Sequence, residues 1–155
     1  RDTRDRCRTP LQWRNAPNAG FSPEGVGTWL PVNPNYEQGV NVADQLNDPK
    51  SMLHFYKSML RVRKQTPALI SGDYAPLHET SNEYFAFTRH SADPEQTCLV
   101  VLNLSEKAQS IKFEMQGRSA RCLFSTHKPE NESFSLGALE MAPFEVFVGE
   151  LSPAT

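Results

Sequence analysis

From residue 84 onward, short runs of Val, Phe, Tyr, Thr and Leu recur, each closed by turn-forming residues. The runs are Tyr84 to His90, Thr97 to Asn103, Gln109 to Phe113, Ala120 to Ser125 and Phe144 to Leu151. Ser91-Ala92-Asp93-Pro94, Ser105-Glu106-Lys107 and Gln116-Gly117-Arg118-Ser119 separate them. Strands recurring at this interval predict an antiparallel sandwich or barrel. Asp73 to Leu77, and Phe134 to Met141 broken by Gly137, are further candidates.

The first 47 residues read differently. Pro10, Pro17, Pro23, Pro31 and Pro34 punctuate them, with Gly20, Gly25, Gly27 and Gly39 between. Eight of the chain's twelve prolines fall within its first 76 residues. Such residues favour turns over regular elements, while Trp13, Phe21, Trp29 and Tyr36 argue against disorder. The expectation is an ordered loop pinned by its aromatic rings and packed on something else. Asp48-Pro49 then offers a helix start, Asp48 as cap and Pro49 at the first helical position. Met52, Leu53, Phe55, Tyr56, Met59 and Leu60 follow at spacings of three and four, an apolar stripe expected to pack in a core. Pro67 stops the helix.

With 16 basic and 18 acidic side chains interspersed, the net charge is −2. No concentrated basic field exists for nucleic acid or a membrane surface, so neither is an expected partner. Arg1, Arg4, Arg6 and Arg8 are mixed with Asp2 and Asp5, a pattern suited to ion pairing. Cys7, Cys98 and Cys122 are too few and too far apart for a disulfide framework or a zinc site. They are expected to be buried or inert thiols, which fits a cytoplasmic location. The chain shows no signal peptide or membrane span, but it begins at Arg1 and not at methionine, so a missing N-terminus is expected. Asn103-Leu104-Ser105 and Asn131-Glu132-Ser133 match the glycosylation pattern, which is short enough to arise by chance.

Four blocks stand in order near the start: Arg4-Asp5-Arg6-Cys7-Arg8-Thr9-Pro10-Leu11-Gln12-Trp13, Asn18-Ala19-Gly20-Phe21, Trp29-Leu30-Pro31-Val32-Asn33-Pro34-Asn35-Tyr36, and Asn41-Val42 with Gln45. Together they resemble the signature of the α-amylase superfamily (glycoside hydrolase family 13), in its branch of α-glucosidases and oligo-1,6-glucosidases. Arg61-Val62-Arg63-Lys64, Pro67-Ala68-Leu69 and Gly72-Asp73-Tyr74 extend the resemblance, and Leu99-Val100-Val101-Leu102-Asn103-Leu104 echoes it in the β-rich part. It implies a mainly β chain, in which a C-terminal antiparallel β-sandwich follows the last loop and helix of a (β/α)8 barrel. By that resemblance residues 1–66 end the barrel, with the loop after its eighth strand at about 1–47 and helix eight at about 48–66. Residues 69–155 form the sandwich.

Enzymes of this kind need an aspartate nucleophile and a glutamic acid roughly 5 to 5.5 Å apart. The family places its acids on earlier strands, and their motifs are absent here, so no catalytic residue is assigned to this chain. Arg4 is the candidate substrate contact. The resemblance implies that this arginine reaches the innermost sugar, where its planar fork can bind hydroxyls while pairing with a carboxylate. A polar-loop arginine held by Asp2 or Asp5 is the structural alternative. Arg8, followed by Thr9-Pro10, is a second candidate for substrate contact or a brace for the loop. Trp13, Trp29 and Tyr36 could stack on sugar or anchor the loop, and Gln12 is expected to bond to backbone. The chain departs from the family with Leu11 for the usual methionine and Arg14 for the usual acidic residue. His54, His78, His90 and His127 match no metal spacing, and no cofactor is implied.

The leading expectation is the C-terminal portion of a retaining α-glucosidase acting on short α-1,4 or α-1,6 glucosides. Its partners would be the oligosaccharide and the remaining N-terminal part of the same protein, and the piece alone is expected to be inactive. A non-catalytic family member serving as a binding or transporter-ancillary protein is the alternative. Exposure of Trp13, Phe21, Trp29 and Tyr36 would allow self-association of the isolated piece.

Overall fold

In the computed structural model, residue 5 and residues 7–115 and 118–152 are described. The chain divides into two units, Arg1–Ser58 and Met59–Thr155.

The first unit contains two 3₁₀ turns, Pro17–Gly20 and Pro34–Gln38, and a short helix α1, Val42–Asn47. Helix α1 leaves no periodic signal, because six residues cannot display an apolar period. Asn41 caps it, its Oδ1 accepting the Asp44 N–H at 2.9 Å. Helix α2 spans Met52–Gln65, a later start than Asp48-Pro49 predicts. Asp48 instead closes α1, and its Oδ1 accepts the Lys50 N–H at 2.9 Å in a tight turn. The cap passes to Ser51, whose Oγ accepts the His54 N–H at 3.3 Å; serine and aspartate fill this role almost equally well. Pro67 does more than stop α2, since it opens helix α3, Pro67–Ser71.

The expected core packing of the α2 stripe is not found. No residue of α2 is buried, and Met52 is 63% and Leu60 49% exposed. Helical spacing shows that one face is apolar, but it does not supply the surface that face meets.

The second unit is an antiparallel β-sandwich. Its strands are β1 Asp73–Leu77, β2 Tyr84–Ala92, β3 Glu95–Asn103, β4 Gln109–Ile111, β5 Ser119–Ser125, β6 Ser133–Ser135, β7 Leu139–Met141 and β8 Val146–Leu151. Six form one sheet in the order β1-β2-β3-β8-β5-β6, and β4 pairs with β7 in a second. Every pairing is antiparallel. Alternation along the strands sends Ala86, Leu99, Val101, Ala120, Cys122 and Phe147 inward. There they meet Ile111, Leu139 and Met141 of the smaller sheet in one core. Val101 lies opposite Phe147, and Leu99 opposite Gly149. A Cβ at Gly149 would sit 2.8 Å from the Phe147 ring and 2.9 Å from Ala120 Cβ, so only glycine lets β8 lie this close to its neighbours.

One end of the sandwich is closed by polar groups. Glu145, 1% exposed, accepts from Lys128 Nζ at 2.9 Å through both oxygens, from Ser125 Oγ at 2.7 Å and from the Ala142 N–H at 2.7 Å. Burial alone would raise the Glu145 pKa, but these donors outweigh it and hold the carboxyl below its usual range. Lys128 Nζ also lies 5.7 Å from the Phe134 ring centroid. Asn103, 2% exposed, donates from Nδ2 to the carbonyls of Lys107 and Ala142 at 2.7 and 2.8 Å and accepts at Oδ1 from the Ser105 N–H and Oγ. The first glycosylation match is therefore a buried structural asparagine.

Cys98 and Cys122 are buried, and burial pushes their thiols up to about 12 and about 11. Both fit the expectation of inert thiols. Cys7, by contrast, is exposed.

Candidate substrate-facing loop

The first unit has few ladder hydrogen bonds, so side-chain amides occupy much of its backbone. Gln12 is the hub. Its Nε2 donates to Asn35 Oδ1 at 2.7 Å and to the Val40 carbonyl at 2.8 Å. Its own carbonyl accepts the Val42 N–H at 2.9 Å, and that of Trp13 accepts the Ala43 N–H at 3.0 Å. The Gln12-Trp13 strip is thus fastened to the second 3₁₀ turn and to the start of α1. Asn41 is buried between them and donates to the Tyr36 carbonyl at 2.9 Å and Asp44 Oδ2 at 2.6 Å.

Asn18 organises the other lobe. It takes a left-handed conformation (φ 53°), which asparagine tolerates better than most residues. Its Nδ2 reaches Ser22 Oγ, the Pro23 carbonyl and the Val26 carbonyl at 2.9 to 3.1 Å. The N–H groups of Trp13 and Arg14 both donate to the Ala19 carbonyl, at 2.9 and 3.1 Å, and Ala19 is fully buried. Within this chain, amides pin the loop, and its aromatic rings are left facing outward. Trp29 is 65% exposed, Trp13 and Phe21 are also exposed, and Tyr36 is half-buried.

Arg4 lies outside the described residues. Arg8 is exposed, and its N–H donates to the Asp5 carbonyl at 3.1 Å. Its guanidinium makes no ion pair or hydrogen bond with the described residues. An apolar groove of about 390 Å³ runs along this unit, lined by Pro10, Leu11, Gln12, Val40, Met52 and Tyr56 among others.

The carboxylates of the loop have local duties. Asp44 pairs with Asn41 at the start of α1, and Asp48 holds its turn. Glu37 bonds the Tyr36 phenol and pushes its pKa up. In the sandwich, Gln96 Nε2 donates to Glu150 Oε1 at 2.7 Å and Arg121 pairs with the other oxygen. Gln96 first, and then Arg121, hold the Glu150 carboxyl below its usual range. Glu145 and Glu150 are thereby kept charged, the opposite of what a proton-donating acid needs. Each histidine has a separate partner: the Leu46 carbonyl for His54, Tyr84 Oη for His78, Thr97 Oγ1 for His90 and Thr126 Oγ1 for His127. Among the described residues no group of His, Cys, Asp or Glu could hold a metal ion.

Sequence reading foresaw that Gln12 would bond to backbone, and it does. It did not single out Asn18 or Asn41 as anchors. A signal was present, since Asn beside Gly or Pro commonly marks a side-chain-closed turn.

A profile of the α-amylase catalytic domain matches residues 1–72, and one of the maltogenic amylase C-terminal domain matches residues 75–148. The oligo-1,6-glucosidase of Parageobacillus thermoglucosidasius is 40% identical over 148 residues, 94% of this chain and 25% of that protein. The glucan 1,6-α-glucosidase of Streptococcus dysgalactiae subsp. equisimilis is 40% identical over 114 residues, 74% of this chain and 20% of that protein. A crystal structure of the trehalulose synthase of Pseudomonas mesoacidophila MX-45 superposes with a TM-score of 0.82 at 32% identity, covering 96% of this chain and 26% of that one. The chain therefore spans about a quarter of the length of the proteins it matches.

Proposed function

This chain belongs to the α-amylase superfamily of glycoside hydrolases, and from that premise we propose that it is the C-terminal portion of a retaining α-glucosidase acting on short α-1,4- or α-1,6-linked glucosides. The observation that carries the reading is the order of the matches. A catalytic-domain match over residues 1–72 is followed directly by a C-terminal-domain match over residues 75–148, and a 1,6-glucosidase is 40% identical across both. Both curated relatives described above are 1,6-glucosidases by name, which supports the α-1,6 arm.

In this reading residues 1–47 are the loop after the eighth barrel strand, residues 48–66 are the eighth helix, and the sandwich follows. The exposed stripe Met52, Tyr56 and Leu60 supports it, since an apolar helix face of this kind calls for a wall. The nucleophile and the proton-donating acid would precede Arg1, on opposite sides of the scissile bond. This chain would supply Arg4, whose guanidinium binds sugar hydroxyls beside a carboxylate, and the Gln12 amide network that holds the neighbouring strip in place. Arg8 is the lesser candidate for sugar contact.

Expression of the whole gene beside this 155-residue chain tests the reading. The whole protein should release p-nitrophenol from p-nitrophenyl α-glucoside and the chain should not. In the whole protein Arg4→Ala should lower kcat/KM while leaving the melting temperature nearly unchanged. Turnover by the chain alone, or a gene product without upstream carboxylate motifs, would overturn it.

A further inference from the structure

The lobe organised by Asn18 carries a cleft of about 420 Å³, lined by Arg14, Pro17, Gly20, Phe21, Ser22 and Glu24 among others. Gly20 ends a run of three left-handed residues, Asn18, Ala19 and Gly20, at φ 53°, 53° and 69°. Alanine rarely takes that conformation, and backbone of this kind clusters at functional sites. The run presents the Ala19 carbonyl to the Arg14 N–H and lays the Arg14 stem across Gly20. A Cβ at Gly20 would sit 2.7 Å from Arg14 Cγ and 3.0 Å from its Nε, so glycine is what leaves the stem its place. The fold thus positions this arginine through both its backbone and its side chain.

Its head group has no partner. Arg14 is exposed, and its guanidinium makes no ion pair or hydrogen bond with the described residues. Glu24 lines the same cleft, is exposed, and its carboxylate has no such partner either. An arginine that served only to brace a turn would direct its N–H donors to carbonyls or a carboxylate. Here a guanidinium and a carboxylate share a cleft without pairing. Phe21 completes the set, its side chain 44% exposed on that cleft.

These three side chains match the chemistry of a sugar ring. Hydroxyls are held between a planar fork of donors and a carboxylate acceptor, and the apolar face of the sugar stacks on an aromatic ring. We propose that Arg14, Glu24 and Phe21 form an outer saccharide subsite, which holds the second glucose unit beyond the bond to be cleaved. This inference rests on the proposed function, in which the loop after the eighth strand belongs to the barrel face where substrates bind. In sequence Arg14 lies well beyond Arg4, the candidate contact for the innermost sugar, which assigns the cleft to the far end of the substrate. The subsite also gives a reason for the departure from the family at this position. With an acidic residue at 14 the cleft would hold two like charges and no donor fork. A negatively charged ligand would suit Arg14 alone, and Glu24 repels it.

Kinetics of the whole protein on a disaccharide and a trisaccharide of the linkage it cleaves, isomaltose with isomaltotriose or maltose with maltotriose, read the subsite. The ratio of kcat/KM for the trisaccharide to that for the disaccharide should fall about tenfold in Arg14→Gln and in Phe21→Ala, since each loses a contact made only to the outer unit. The fall should lie mainly in KM, because that contact binds substrate and transition state alike. Glu24→Gln keeps the shape of the cleft and should lower the same ratio by a smaller factor. An unchanged ratio in all three variants of an active enzyme would overturn the subsite while leaving the proposed function standing. Equal losses on both sugars that track a lower melting temperature would mean that Arg14 only braces Gly20, and would overturn it too. A whole protein that cleaves neither pair would overturn the proposed function, and the subsite with it.

Discussion

The two units solve the same problem in opposite ways. In the sandwich the backbone is paired strand to strand, and the apolar side chains close over one another around Phe147 and Leu99. In the first unit Gln12, Asn18 and Asn41 serve the backbone through their amides, and the apolar side chains face outward. One carries its driving force inside. The other is shaped by hydrogen bonds that contribute modestly when water can replace them. A segment built in the second manner holds its form but needs a neighbour for its stability.

This contrast can be broken at its strong side first. Phe147→Ala removes a fully buried ring from the centre of the sandwich and should cost about 3–5 kcal/mol in urea unfolding. A loss near zero would mean that the core does not carry the unit. Lys128→Ala leaves Glu145 buried without its cation and should cost about 3 kcal/mol. The same pair sets a pH dependence. Glu145 and Glu150 are both held below their ordinary 4.5 when folded, so their contribution is present above that value and is lost as pH falls through the lower folded values. Stability should therefore decline below about pH 4.5, and less steeply in Lys128→Ala. Urea midpoints across acid pH check both statements.

On the other side of the comparison the effects shrink. Gln12→Ala should speed hydrogen exchange at the Val42 and Ala43 amides about tenfold, since losing its bonds costs about 1–2 kcal/mol locally. Its midpoint in urea should scarcely move. Tyr56→Ser on the exposed face of α2 should change the stability of this chain by less than about 0.5 kcal/mol. A larger loss in a thermal melt would show that the stripe already has a partner.

The same contrast decides what could be read from sequence. Alternation reported the strands from Tyr84 onward to within a few residues, including the interruption at Gly137 that separates β6 from β7. The period belongs to the strand itself, and no distant residue is needed to see it. Lys128 and Glu145 were invisible because seventeen positions and a sheet crossing separate them. The α2 stripe is legible as apolar but not as exposed, since periodicity names a face and not its cover. The helix start was misplaced because Asp48 and Ser51 can both cap. Of the candidate site, the Arg8 segment and Gln12 are legible in the sequence. The loop's other amide anchors, Asn18 and Asn41, act across turns whose geometry no local period encodes.

Gly72 carries a consequence for anyone who wishes to separate the catalytic and C-terminal regions. A Cβ there would come within 2.5 Å of the Ala68 carbonyl oxygen and 2.7 Å of that of His90. The junction between the two family matches is therefore a tight elbow with no room for a side chain, and not a tether. A cut at that seam would strip α3, which packs on β2 and β3, from the sheet and bare Cys98 and Val100 to water. Any graft of this sandwich onto another protein should carry the helix from Pro67 with it and keep glycine at the bend.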